Sequence, residues 1–208
     1  MNFIRVKTPW LAKKIFSSCY WDFPSKEKTI YLTFDDGPTP IITPQVLEIL
    51  EQYNAKATFF CIGKNVTAHP EIAKRILDEQ HAIGNHTYDH INGWKTDDDA
   101  YIKNTLKASK IIDSNLFRPP YGRLKPSQGK LLQKAGYKLI MWDVVAIDWD
   151  DSKTKEFVLQ NVLNNAVSGS IVVLHDSLKA SENMLYALPK ILAHFTKEGY
   201  VFKKIELE

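Results

Sequence analysis

A chain of 208 residues, 44% hydrophobic and 25% charged, can bury a full core as one domain and has the composition of an ordinary globular protein. Its formal charge of +3 comes from scattered lysines without a basic run of five, which argues against a nucleic-acid partner. A chain this long needs no disulfide staple; Cys61, after Thr58-Phe59-Phe60, reads as a buried small hydrophobe, and a bridge to Cys19 is left open.

In residues 1–28, Arg5, Lys7, Lys13 and Lys14 precede several aromatics, as a targeting segment would. Yet the longest uninterrupted apolar run there is only three residues, as in Trp10-Leu11-Ala12, too short for a signal-peptide core or a membrane span. The spacing of Trp10, Leu11, Lys14, Ile15 and Ser18 predicts an amphipathic helix. Residues 1–28 are therefore read as a segment packed on the main domain or over its rim, ahead of one anchored on a membrane surface. A cytoplasmic location without stable membrane insertion is expected, with export of a processed form left open.

From residue 29 onward, short β-branched or aromatic runs alternate with helical patterns. Strands are predicted at 29–34, 57–62, 82–85, 116–118, 138–142, 170–174 and 200–203. Helices are predicted near 43–53, 70–80, 97–114, 127–135, 153–167 and 182–197. Pro44 and Pro70 sit near helix starts, and Gly136 and Gly199 fall just after helix ends. Strands each followed by a helix imply an α/β domain with a parallel sheet. Seven strands closing on themselves would give a (β/α)7-type barrel, which periodicity alone does not separate from an open doubly wound sheet.

The polar outliers fall at strand C-terminal ends, where such folds place their chemistry. Asp35-Asp36 end the first apolar run and Gly37-Pro38 breaks it. His86 and His90 follow the third strand, Arg118 the fourth, Asp148 the fifth and His175 the sixth. His86 and His90, at i and i+4 on one helical turn, would face the same way. With one strand-end carboxylate they make a two-His, one-carboxylate metal set, and the second acid is left beside it as a base. Such a set suits Zn²⁺, with Co²⁺, Ni²⁺ or Fe²⁺ also accepted.

These segments resemble a known family. Thr33-Phe34-Asp35-Asp36-Gly37, His86-Thr87-Tyr88-Asp89-His90, Arg118-Pro119-Pro120-Tyr121-Gly122, Asp148-Trp149 and Leu174-His175-Asp176 are similar to the five ordered motifs of polysaccharide deacetylases. These are the NodB-homology proteins of carbohydrate esterase family 4. The resemblance spans roughly residues 29–205 and implies a single distorted, NodB-like barrel domain over 29–208. It also implies Asp36, His86 and His90 as metal ligands, Asp35 as general base and His175 as the acid that protonates the leaving amine. Arg118 would orient Asp35, and Asp148 would tune the charges around Arg118 or His175. The backbone N–H of Tyr121 would donate to the oxyanion. His175 needs a carboxylate to support its imidazolium, and Asp176 and Asp148 are both candidates. In one departure from the family pattern, Val145 stands where many relatives carry a further acid, with Asp143 two residues earlier.

The implied activity is metal-dependent removal of an N-acetyl group from N-acetylglucosamine-type units of a polysaccharide or oligosaccharide, releasing acetate. The alternatives are an acetylxylan-type O-acetyl esterase, a carbohydrate-binding protein with a degenerate site, and an amidase acting outside sugars. The partner is then an acetylated glycan, and a monomer is expected. Trp149 and Trp94, near the motifs, are read as exposed stacking faces for sugar rings in an open rim groove, with Trp149 foremost; Trp142 is read as core. His69 and His81 are read as surface or capping residues, His194 as solvated, and Asp97-Asp98-Asp99 as a helix cap.

Overall fold

Residue alternation along one central strand sets up the architecture. In the computed structural model, which describes residues 6–207, β1 (Thr29–Asp35) sends Ile30, Leu32 and Phe34 into the layer beneath the helices. The intervening Tyr31, Thr33 and Asp35 face a second interior, where Tyr31 joins Phe60, Ile140 and Ile171, and Thr33 and Asp35 meet Arg118. A strand covered on both faces reads as a continuous apolar run, as this one does.

The remaining strands are β2 (Ala57–Cys61), β3 (Ala82–Asn85), β4 (Leu116–Phe117), β5 (Lys138–Leu139), β6 (Val144–Val145), β7 (Ile171–His175) and β8 (Val201–Phe202). They pair in parallel in the order β5-β4-β3-β2-β1-β7-β6, with β8 added on β1. The helices are α1 (Trp10–Ile15), α2 (Ile42–Gln52), α3 (Gly63–Ala68), α4 (Pro70–Asp78), α5 (Asp98–Ser109), α6 (Pro126–Lys134), α7 (Lys155–Leu163) and α8 (Ser181–Lys197). Val46, Leu47 and Leu50 of α2 and Leu188, Ile191 and Leu192 of α8 pack with the outer face of β1 in the main cluster.

The result is a curled parallel half-barrel in a single α/β domain. It differs from the expected seven-stave closure in two ways. The run at 138–142 yields only Lys138–Leu139, and a separate pair, Val144–Val145, forms the opposite edge of the sheet. Asp148 therefore follows the sixth strand and His175 ends the seventh. In addition, β5 and β6 do not pair with each other; the N-terminal segment lies between them. Lys7 bridges antiparallel to Val144, and Tyr20 bridges parallel to Ile140. Asp143, the acid near the expected fourth motif, belongs to this closure and not to the catalytic rim. It accepts from Lys7 Nζ (2.5 Å), Lys13 Nζ (2.6 Å) and Ser170 Oγ (2.5 Å). Burial alone would raise its carboxyl, and these donors outweigh that and lower it.

α1 buries none of its residues, so it has no inward apolar face. Cys19 and Cys61 are both free thiols in different clusters, and no bridge joins them. His81 is buried rather than superficial; its Nδ1 accepts from Ala57 N (3.1 Å) at the start of β2. His69 precedes Pro70 at the N-cap of α4, and His194 is exposed. Asp97 caps α5 by accepting from Ala100 N.

Candidate active site

Each candidate side chain arrives at the C-terminal edge of the sheet by a local break in regular structure. Consecutive strand residues point to opposite faces, so Asp35 and Asp36 would diverge if β1 continued. Asp36 instead takes a left-handed φ of 81°, and the chain turns so that both carboxylates serve one site. Gly37 follows because the backbone there lies against a carboxylate: a Cβ on it would stand 2.0 Å from Asp176 Oδ2.

The 86–90 segment is a loop and not the helical turn expected from the i, i+4 spacing. Thr87 (φ 64°) and His90 (φ 55°) are left-handed, which a helix does not allow. Hydrogen bonds hold the loop in place. Asn85 Oδ1 accepts from Thr87 N (2.8 Å), and Asn104 Oδ1 accepts from Tyr88 N (2.8 Å). Gly63 N and Lys64 N at the start of α3 donate to the Thr87 and Tyr88 carbonyls. The two imidazoles still converge, with ring centroids 5.0 Å apart.

One donor atom each from Asp36, His86 and His90 lies within 4.8 Å of the others. His86 Nδ1 donates to the Arg118 carbonyl (2.7 Å), which leaves the lone pair of Nε2 facing Asp36. Burial lowers the His86 pKa to about 4, so its imidazole is neutral near pH 7, as a ligand must be. Asp36 Oδ1 is buried and, among the described residues, accepts no hydrogen bond, although His90 Nε2 is 3.1 Å away. Burial by itself would raise the Asp36 carboxyl, but the imidazoles of His90, His175 and His86 outweigh it and hold it well below the usual carboxylate range. An orphaned buried carboxylate oxygen between two imidazole nitrogens fits a divalent cation.

Beside this set, Arg118 is fully buried and rests on the Phe60 ring at 4.1 Å. Its Nη1 donates to Asp35 Oδ1 and Thr33 Oγ1 (2.7 Å each), and Nη2 donates to the Met141 carbonyl (2.9 Å). Among the described residues Asp35 is thus the only carboxylate bonded to Arg118, and Val145 is a buried apolar residue.

Across β1 and β7, Asp35 and His175 are in-register neighbours. His175 pairs with Asp148, not with Asp176. Asp148 Oδ1 accepts from the ring Nδ1 (2.8 Å), and Oδ2 accepts from the His175 backbone N (2.7 Å). Burial disfavours the imidazolium, yet Asp148, followed by Asp36 and Asp35, outweighs burial and raises the pKa to about 9. His175 thus holds a proton at neutral pH and loses it as pH rises; a cation held by Asp36 acts in the opposite direction and brings that point down. Asp148→Asn removes the largest raising charge. The alkaline limb of kcat/KM should then move to lower pH by about one unit or more, which a pH-rate profile over pH 6–10 checks.

Tyr121 has φ 60° inside the turn Pro120–Gly122, and among the described residues its N–H donates to no carbonyl. The residue is 61% exposed, and its ring lies 4.5 Å from that of His90. Gly122, also left-handed, is packed over the Trp142 indole, where a Cβ would come within 2.5 Å. Of the two expected stacking tryptophans, Trp94 is exposed as read and Trp149 is less exposed than expected. Trp149 is half-buried with its ring edge-on to His175 at 4.7 Å, and one face of the exposed Trp94 is covered by the Arg123 guanidinium at 4.0 Å. Trp149→Ala should therefore lower kcat about three- to tenfold, the scale of one aromatic contact, with KM changed less. Steady-state kinetics on a soluble oligomer would show the reverse pattern if Trp149 only bound sugar.

Asp176 is the residue whose position sequence reasoning left undetermined. Fully buried, it accepts from Gly37 N (3.0 Å) and Thr43 Oγ1 (2.5 Å), and burial raises its pKa to about 7.

With this geometry in place, the comparisons agree with the motifs. A family model described as polysaccharide deacetylase matches residues 23–140. A peptidoglycan-N-acetylglucosamine deacetylase of Bacillus cereus is 40% identical over 189 residues, covering 88% of each chain. The crystal structure of the Bc1960 peptidoglycan N-acetylglucosamine deacetylase superposes with a TM-score of 0.87 at 32% identity, covering 95% of each chain. A third likeness is to a pseudoenzyme of the same carbohydrate esterase family from Bacillus anthracis, with a TM-score of 0.76 at 27% identity, covering 89% of this chain and 66% of that one. The chain belongs to the polysaccharide deacetylase family, carbohydrate esterase family 4. Apart from such pseudoenzymes, members of this family are metal-dependent deacetylases acting on acetylated glycans. Among the described residues, no helix is long and apolar enough to cross a membrane.

Proposed function

We propose that this protein hydrolyses the N-acetyl group of N-acetylglucosamine units in a glycan polymer, peptidoglycan first, using one zinc ion held by Asp36, His86 and His90. The ion, when bound, supplies Lewis acidity to the attacking water and the acetyl carbonyl. Because a pseudoenzyme shares the fold, family membership alone does not secure turnover. The observation that carries the reading is the pairing of Asp35 and His175 on adjacent strands, each with its own buried charge partner. A protein that only bound sugar would need neither.

In this scheme Asp35, oriented by Arg118 and Thr33, takes the proton of the attacking water as the C–O bond forms. The Tyr121 N–H donates to the developing oxyanion, where a fixed dipole needs no reorganisation. His175, kept as imidazolium by Asp148, gives its proton to the leaving nitrogen as the C–N bond breaks. Acetate and a free amine result.

Acetate release tests this on N-acetylglucosamine oligomers, peptidoglycan and acetylxylan, with Zn²⁺, Co²⁺, Ni²⁺ or Fe²⁺ added. Turnover of the N-acetylated glycans, greatest with zinc, is expected. Turnover of acetylxylan alone would make the protein an O-esterase. Glycan binding without acetate release, at full metal loading, would make it a binding protein.

A further inference from the structure

The turn that carries the ligand Asp36 is clamped from two sides. The peptide between Asp36 and Gly37 has two polar ends: Asn65 Nδ2 donates to the Asp36 carbonyl (2.7 Å), and the Gly37 N–H donates to Asp176 Oδ1 (3.0 Å). With both ends of one peptide plane held and β1 holding the residue before it, the backbone at Asp36 is restrained, and with it the direction in which the Cα–Cβ bond leaves the chain. The next carbonyl, of Gly37, accepts from Ile62 N (2.9 Å). Asp176 is itself held, because Thr43 Oγ1 donates to its Oδ2 and accepts from Thr39 N (2.7 Å). Its own backbone N donates to the Asp35 carbonyl (3.1 Å), joining the end of β7 to the end of β1.

We infer that Asp176 is a positioning residue for the metal: it sets the peptide that follows Asp36 and thereby the affinity of the Asp36–His86–His90 set. The reason lies in the left-handed φ of 81° at Asp36. A non-glycine residue holds such a conformation only where its surroundings over-determine it. The hydrogen bonds of the Asp176 carboxylate go to Gly37 N and Thr43 Oγ1 and not to the ligand side chains, so it reaches the set through the backbone, besides the charge it places near Asp36. Outer partners of metal ligands typically contribute ten- to a hundredfold in affinity.

The inference rests on the metal-dependent reading, and the experiment separates the two. Zinc affinity of the purified chain is measured by competition with a chromophoric chelator, without substrate. If the unmodified chain fails to bind zinc, both the reading and the inference fall. Asp176→Asn keeps the shape of the side chain but sets an amide N–H₂ against one of two donors. It should weaken zinc binding about ten- to a hundredfold. Saturating zinc should return kcat to within about threefold of the unmodified enzyme, which a merely destabilised fold would not do. Thr43→Val and Asn65→Ala loosen the same peptide more gently and should each weaken zinc severalfold; they decide the matter if Asp176→Asn does not fold. Zinc affinity unchanged within twofold in every folded variant would overturn the inference while leaving the proposed function standing.

Discussion

Asp36→Ala and His90→Ala should each take the zinc content of the purified chain from about one per molecule to near zero and lower kcat by at least about three orders of magnitude. The ion contributes several kcal/mol of transition-state stabilisation, and each 1.36 kcal/mol is a factor of ten. Both side chains are more exposed than that of His86, and among the described residues neither supports the fold through a hydrogen bond. Their loss should lower the thermal midpoint of the metal-free protein less than the loss of His86 does. His86→Ala differs, because His86 is buried and its Nδ1 satisfies the Arg118 carbonyl. That variant should lose zinc and stability together. Metal analysis and a metal-free melting curve on the three variants check this. Full zinc occupancy in Asp36→Ala and His90→Ala would refute the ligand set.

The second large effect separates catalysis from metal binding. Asp35→Asn and His175→Ala should each lower kcat by about two to four orders of magnitude, the usual worth of a positioned base or acid, while zinc stays near one per chain. Asp35→Asn has a structural consequence as well. It leaves the fully buried Arg118 guanidinium without the carboxylate that pairs with it. Breaking a buried pair from one side costs about 3–5 kcal/mol. A second change, Arg118→Met, should therefore recover part of the lost stability of Asp35→Asn and none of its activity. Urea unfolding together with acetate release would show this; wild-type rates in both Asp35→Asn and His175→Ala would end the acid–base scheme.

The residues of the site were legible because each follows a strand that its own neighbours specify. Ile30-Tyr31-Leu32-Thr33-Phe34 can be only a buried strand, and Gly37-Pro38 can only end it, so Asp35 and Asp36 must emerge at an edge. The same local logic places His86 after Ala82–Asn85, Arg118 after Leu116–Phe117 and His175 at the end of Ile171–His175. Roles came from the order of five motifs, a pattern too specific to arise by periodicity.

Other features depend on residues far apart in the chain, and no local window contains them. The partner of His175 was open between Asp148 and Asp176; adjacency in sequence favours Asp176, but β7 points residue 176 to the opposite side from 175, toward Gly37 and Thr43. The loop geometry at 86–90 escaped the i, i+4 reading because left-handed turns at Thr87 and His90 are imposed by Asn85, Asn104 and α3, not by their own preferences. The closing of the sheet is the furthest from local information. Lys7 meets Val144 and Tyr20 meets Ile140 across more than a hundred residues, and Asp143 is drawn from the motif region into that junction by two lysines. Sequence alone determined which side chains stand at strand ends, because strand and break are written in neighbouring residues. Tertiary structure alone decided which of them pair, because hydrogen bonds between buried charges depend on the register of strands that only packing brings together.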